Sequence, residues 1–360
     1  MRFKRLDEWL LWLEQLHPVA VDLGLERVVQ VAAQLPINTA SSQVVTVAGT
    51  NGKGSTLAAL QALLSYPHKT LTRPSIGVYS SPHLKHFTER VQVNGQPVTE
   101  IILCQALDRV DKARLDCGLS LSYFEFTTLA ALLIFSEQYL DYMLLEVGLG
   151  GRLDAVNIID ADLTIITSIG LDHTDWLGDD RGLIAVEKAG VARTGRPCVV
   201  AEHDPPDSLR RRLGDIGAEV SWISQDWILE SPHVVTSSGS RYSLPESEGL
   251  LPQNVGAAVE ALELSEVISL TQSLLDSTNR IGVPGRLSRH QYQNVDVLMD
   301  VAHNVESVRA LVQRLRSSPV TGKTRAIFGV MGDKPIHDML SACGGVVDEW
   351  NLVDLSHVER

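Results

Sequence analysis

Short apolar runs punctuate this chain at residues 44–48, 76–80, 142–147, 163–168 and 197–201, each bounded by polar residues or glycine. Runs of that length, rich in Val and Ile, predict buried strands. Between them, over 55–64, 125–139 and 181–192, apolar residues recur at the spacing of an amphipathic helix. Strand alternating with helix predicts a mostly parallel sheet covered by helices. Residues 90–98 alternate around Asn94-Gly95, which predicts a hairpin inserted in that framework. At the amino terminus, Trp9, Leu13 and Leu16 share one helical face.

From 222 to 243 the pattern breaks into shorter strands with polar turns, a small antiparallel appendage, and helices follow near 253–262 and 265–279. The stretch IGVPG at 281–285 reads as a linker, because Pro and Gly interrupt both periods. Beyond it, strands at 295–301, 325–330 and 346–353 alternate with helices at 305–316 and 336–342. This second α/β unit is small and stops directly after a strand. The chain carries no internal repeat and no low-complexity tract.

The first run leads into VVTVAGTNGKGST at 44–56, a strand, a glycine-punctuated loop with one lysine, and hydroxyls opening a helix. Such a loop cradles phosphate: glycines let backbone N–H groups approach an anion, and the helix N-terminus adds its positive end. Lys53 supplies a point charge, and Ser55 or Thr56 a hydroxyl near a divalent ion. The strict G-x-x-x-x-G-K-[ST] pattern is not met, since Val47 holds its first position and Gly54 its last. A bland strand-to-helix turn, however, needs neither the lysine nor three glycines.

Further polar residues stand at the carboxyl ends of predicted strands, the edge where open parallel sheets bind ligands. Ser80 and Ser81 end one strand, Glu146 another, and Asp172-His173 follow a third. Singly, Ser81 reads as a helix cap, Glu146 as a surface charge and His173 as a buried histidine. Together beside phosphates they suit a divalent metal that keeps its waters. In GLGGRLD at 148–154, Arg152 and Asp154 could read a polar substrate or pair with each other. Lys188 reads as a solvated helix lysine. Glu125 favours the dipole of a helix opened by Tyr123 and Phe124. Asp300 and His303 recur at a strand end of the second unit, with Asn304 as a helix cap and Arg286 in the linker.

A formal net charge of −13 argues against nucleic acid or an anionic membrane as the main partner. Cys104, Cys117, Cys198 and Cys343 are scattered without zinc or disulfide spacing, which suits a reducing cytoplasm. Asp7, Glu8 and Glu14 spoil a signal-peptide reading of the first residues, and the apolar run 129–135 is too short to span a bilayer.

These segments together resemble the dihydrofolate synthase/folylpolyglutamate synthase family, relatives of the Mur amino-acid ligases. The matching text is DLGLERV (22–28), AGTNGKGST, YSSPHL (79–84), TERVQVNG (88–95), YFEFTTLAAL, LLEVGLGGRLDAVNI, TSIGLDHTDWLG, EKAGV, GVPGR and MDVAHN, dispersed over nearly the whole chain. The resemblance implies a P-loop ATPase domain over 1–283, with a mostly parallel sheet and a small antiparallel appendage. A second, incomplete Rossmann-like α/β domain would occupy 284–360. It implies a monomeric, cytoplasmic, ATP- and Mg2+-dependent ligase that joins L-glutamate to dihydropteroate, and to reduced folates, through an acyl phosphate. By that pattern Asn51, Gly52, Lys53, Gly54, Ser55, Asn254, Arg286 and Asp300 would hold ATP. Ser81, Glu146 and His173 would hold Mg2+, and Lys188 would be carboxylated on its side-chain nitrogen. Asp22, Ser122, Tyr123, Phe124, Glu125 and Leu153 would contact dihydropteroate. Lys53, Lys188, His173 and His303 would serve catalysis.

Two departures stand out. The family pattern continues past Arg360, and residues 71–75 replace a short glycine turn before Ile76. A catalytically silent, truncated homologue that binds nucleotide or folate is the alternative. A Mur-type ligase acting on a nucleotide-linked precursor would need a uridine-nucleotide domain, for which the residues before the phosphate loop are too few.

Overall fold

The computed structural model describes every residue except 20, 66–73, 245–248, 266–269, 277–282, 319 and 356–360. Strands β1 (Gln43–Ala48), β2 (Ile76–Tyr79), β3 (Val91–Val93), β4 (Gln96–Pro97), β5 (Tyr142–Glu146), β6 (Leu163–Ile166), β7 (Pro197–Val200) and β8 (Glu219–Trp222) form one sheet. Its order is β4-β3-β2-β5-β1-β6-β7-β8. The six strands from β2 to β8 pair parallel, and β3 and β4 add an antiparallel edge. At the hairpin turn Asn94 and Gly95 both take positive φ, 52° and 76°, the twist that suits a two-residue turn.

Alternation along the strands splits the core in two. Val44, Tyr79, Met143 and Leu145 face helices α1 (Leu6–Leu16), α2 (Glu26–Ala32), α4 (Glu100–Asp116) and α5 (Tyr123–Glu137). Val45, Val47, Leu144 and Ile165 face α3 (Lys53–Leu64), α9 (Pro252–Ser265) and α10 (Gln272–Asp276). On the first side, Ile166 and Val200 pack with α7 (Arg181–Ala189) and α8 (Asp207–Ile216), next to the short α6 (Thr174–Leu177). Central strand β1 is buried on both faces, which is why it reads as a continuous apolar run.

The antiparallel appendage is present as β9 (Ile228–Glu230), β10 (His233–Val235) and β11 (Arg241–Ser243). Its expected first residue, Trp222, instead ends β8 in the large sheet. Helix α7 stops at Ala189, short of the expected 192: past it the hydrogen bonds tighten to a three-residue spacing, Gly190 N–H to Glu187 O and Ala192 N–H to Ala189 O. Of the helix expected over 265–279, residues 266–269 and 277–279 lie outside the described residues, as do 281–282 of the linker and 71–73 of the departure before Ile76.

After the linker, β12 (Ser288–Tyr292) and β13 (Val295–Met299) form an antiparallel hairpin, and β14 (Arg325–Phe328) pairs parallel with β15 (Glu349–Leu352). Helices α11 (Val305–Ser317) and α12 (Ile336–Ala342) share a small core of Val308, Val312 and Met339. Among the described residues no helix is long and apolar enough to cross a membrane.

Candidate active site

In the sheet order, β5 and β6 flank β1, so three carboxyl ends converge where the chain changes direction. Strand β1 ends at Ala48, and residues 49–52 carry the chain to α3. The loop is stitched to the end of β6: Asn51 N–H donates to Ser168 Oγ (2.9 Å), and Thr167 Oγ1 donates to Asn51 O (2.7 Å). Gly52 has φ +92°, and a Cβ there would lie 2.5 Å from Oδ1 of the buried Asn254. Only glycine fits that position. Lys53 Nζ donates to Gly49 O (2.9 Å) and Thr50 O (3.3 Å). Burial pulls its pKa down, and the Glu146 carboxylate opposes that shift.

A cavity of about 360 Å3 opens over this loop. Its wall joins Asn51, Gly52, Lys53, Ser81, Glu146, His173, Arg286 and His303 to Asp22, Ser122, Phe124, Glu125 and Leu153. Glu146 is no surface charge: it is 5% exposed, and its Oε2 accepts from Ser81 N–H (3.1 Å). Burial pushes its carboxyl up, against the nearby Lys53. His173 takes a left-handed conformation ahead of α6 and is exposed, not the buried histidine that its sequence setting suggests; partial desolvation at the cavity wall lowers its pKa. A buried carboxylate, a hydroxyl and an imidazole on one wall suit a divalent ion that retains waters.

Lys188 is 4% exposed, not solvated, and its Nζ donates to Gly49 O (3.0 Å) behind the loop. Burial, reinforced by the charge of Lys53, brings its pKa down to about 7. Asp154 does not pair with Arg152, which binds Glu187 instead (2.8 Å). Its carboxylate accepts from Leu149 and Val156 N–H, both at 2.9 Å, and burial pushes its pKa up to about 6.

Elsewhere on the wall, Phe124 packs against the loop after β5, where a Cβ on Gly148 would lie 2.5 Å from its ring. Glu125 closes a capping box, accepting from Ser122 N–H (2.7 Å), and Arg27 bridges it (3.0 Å) to Asp22 (2.6 Å). The nearly buried His17 also contacts Asp22 (3.1 Å).

The carboxyl-terminal segment closes the cavity. Asp300 accepts from Leu287 and Ala302 N–H, both at 2.8 Å, which pins the backbone beside Arg286. Asn304 caps α11 through Ser307 N–H (3.0 Å) and forms a reciprocal amide pair with Asn51 (3.0 and 3.1 Å). Asp172 receives His303 Nε2 (3.2 Å), Asn304 Nδ2 (3.1 Å) and Lys334 Nζ (2.9 Å).

Residues 285–359 match the family profile "Mur ligase, glutamate ligase domain". The Escherichia coli (strain K12) dihydrofolate synthase/folylpolyglutamate synthase is 40% identical over 360 residues, spanning 97% of this chain and 82% of that one. The chain belongs to the dihydrofolate synthase/folylpolyglutamate synthase family. Solved structures agree: E. coli FolC in complex with DHPP and ADP matches with a TM-score of 0.89 at 38% identity, over 96% of this chain and 83% of that one. A bifunctional folylpolyglutamate synthase/dihydrofolate synthase with Mn, AMPPNP and L-glutamate bound matches with a TM-score of 0.86 at 39% identity, over the same two shares.

The expected residues do not all line the cavity wall. Gly54 sits behind Glu146, where its missing Cβ would be 3.6 Å from Oε2, and Ser55 is buried in α3. Asn254, Asp300, Lys188 and Tyr123 do not line the cavity. The first three brace the loops that do, and Tyr123 lies against Phe87 and Arg90. Sequence reading passes over Arg90, which lines the cavity, and Lys334, which reaches it through Asp172. Arg90 sits inside the recognisable TERVQVNG text, a usable signal. Lys334 has no local pattern.

Proposed function

We propose that this synthase uses ATP to join L-glutamate to dihydropteroate, and to reduced folates, through an acyl phosphate. The observation that carries the reading is a single cavity shared by the phosphate loop, the Ser81–Glu146–His173 wall and the pocket around Asp22 and Phe124. The relatives bound to ADP or AMPPNP, to Mn and to L-glutamate support the same chemistry. A substrate carboxylate oxygen attacks the γ-phosphorus as the bond to ADP breaks. Glutamate's amine then attacks the acyl carbon, loses a proton and expels phosphate.

This chain's residues supply position and charge. Backbone N–H groups of 52–54 and Lys53 hold the phosphates, and Arg286 and His303 face them across the cavity. Ser81, Glu146 and His173 would hold Mg2+, which neutralises developing phosphate charge when bound. Asp22, held by Arg27 and His17, would accept hydrogen bonds from the pterin, with Phe124 against its ring.

Lys188 would carry a carbamate: an amine whose pKa falls to about 7 offers, near neutral pH, a substantial share of the neutral nucleophile that carbon dioxide requires. The division at 283/284, a monomeric state and a cytoplasmic location belong to the same proposal. Lys53, Glu146 and His173 all face this cavity, which favours an active ligase over a silent homologue.

The test is phosphate release by purified protein with ATP·Mg2+, dihydropteroate and L-glutamate, omitting each in turn. Release that needs all three is the expected result. Nucleotide binding without turnover would leave the silent homologue.

A further inference from the structure

We infer that Asp172 is a positioning residue that locks the carboxyl-terminal segment over the phosphate loop, its charge masked there by Lys334 and His303. The inference rests on the ligase reading only in its activity arm.

Asp172 lies on the cavity wall, immediately before His173, and is 9% exposed. Its three side-chain donors all come from across the cleft, His303 and Asn304 ahead of α11 and Lys334 ahead of α12. The Lys334 side chain is 7% exposed, with Asp172 at 2.9 Å as its near partner and its neighbour Asp333 farther off at 3.6 Å. Asp172 and Lys53 line the same cavity, so the carboxylate stands on the wall of the phosphate site.

A bare carboxylate in that place would repel a triphosphate and would itself be costly to bury. Seating the carboxyl-terminal segment removes both penalties at once. The seated segment brings Asn304 to Asn51 in the phosphate loop and His303 to the cavity. Asp172 therefore acts through its partners: it rewards closure and leaves the nucleotide facing a masked site.

This arrangement has a signature that a merely structural ion pair lacks. Lys334→Ala unmasks Asp172 and weakens AMPPNP·Mg2+ binding about tenfold. Adding Asp172→Ala to it removes the exposed charge and returns nucleotide affinity to within about twofold of wild type. Turnover falls in both single variants and in the double, because closure is lost, and Lys334→Arg retains most of it. Asp172→Asn, of equal volume, serves if the alanine variant melts early.

The inference is overturned if Lys334→Ala binds nucleotide normally, or if the double variant binds as weakly as Lys334→Ala. Affinity is read by titration without turnover. A wild-type protein inert toward dihydropteroate would thus sink the ligase reading and leave this test standing.

Discussion

At the scale of single residues, position in the fold changes what a side chain is. Lys53 follows directly on the phosphate loop, with its amine on the carbonyls of Gly49 and Thr50, and places a positive charge on the cavity wall. Lys53→Ala is expected to lower turnover by about 10²–10³-fold, with a melting temperature close to wild type. Glu146→Gln keeps the shape but removes the buried charge, and should raise the Mg2+ concentration needed for half-maximal rate. Lys188 allows a signed pH prediction. Its pKa falls from 10.5 to about 7 on folding, so below pH 7 it is protonated in both states. Between those values the unfolded chain holds the extra proton, and stability rises with pH. Lys188→Met should flatten that rise. Urea midpoints measured at successive pH values in carbon-dioxide-free buffer decide it. The sequence signals Lys53, Glu146 and His173 through their place at strand ends. It reads Lys188 as solvated, because helical spacing does not tell which side of α7 the sheet and the phosphate loop cover.

At the scale of elements, legibility follows how local the determinants are. Asn94-Gly95 specifies its hairpin within four residues, and Ser122 with Glu125 caps α5 within the first turn. Strand β12, SRHQY, is polar and mostly exposed, so no apolar period announces it; its pairing with β13 makes it a strand. The glycines after β5 are legible as a turn, but their cause lies elsewhere in the chain. Gly148 leaves room for the Phe124 ring of α5. Gly148→Ala is expected to displace that ring and raise the KM for dihydropteroate several-fold, with the KM for ATP near wild type. Steady-state kinetics with each substrate varied separately tests it.

At the scale of the whole molecule, the Asn304 amide works beside His303 and Lys334 to join the two parts of the site. Asn304 is 1% exposed and bonds at once to Asn51, to Asp172 and to the first turn of α11. Asn304→Ala should cost about 1–3 kcal/mol in chemical unfolding, as expected for a lost cap and buried partners left unpaired. It should also lower turnover with the phosphate loop itself intact.

The sequence by itself determined the kinds of element, the hairpin turn and the chemistry of the phosphate loop, since each follows from residues within a few positions of one another. Tertiary structure alone decided that β5 and β6 flank β1, that Glu146 and Lys188 leave water, and that Lys334 meets Asp172. Those two lie 162 positions apart and Asn51 and Asn304 lie 253 apart. Contacts at such separation arise from how faces pack and leave no period in the chain to be read.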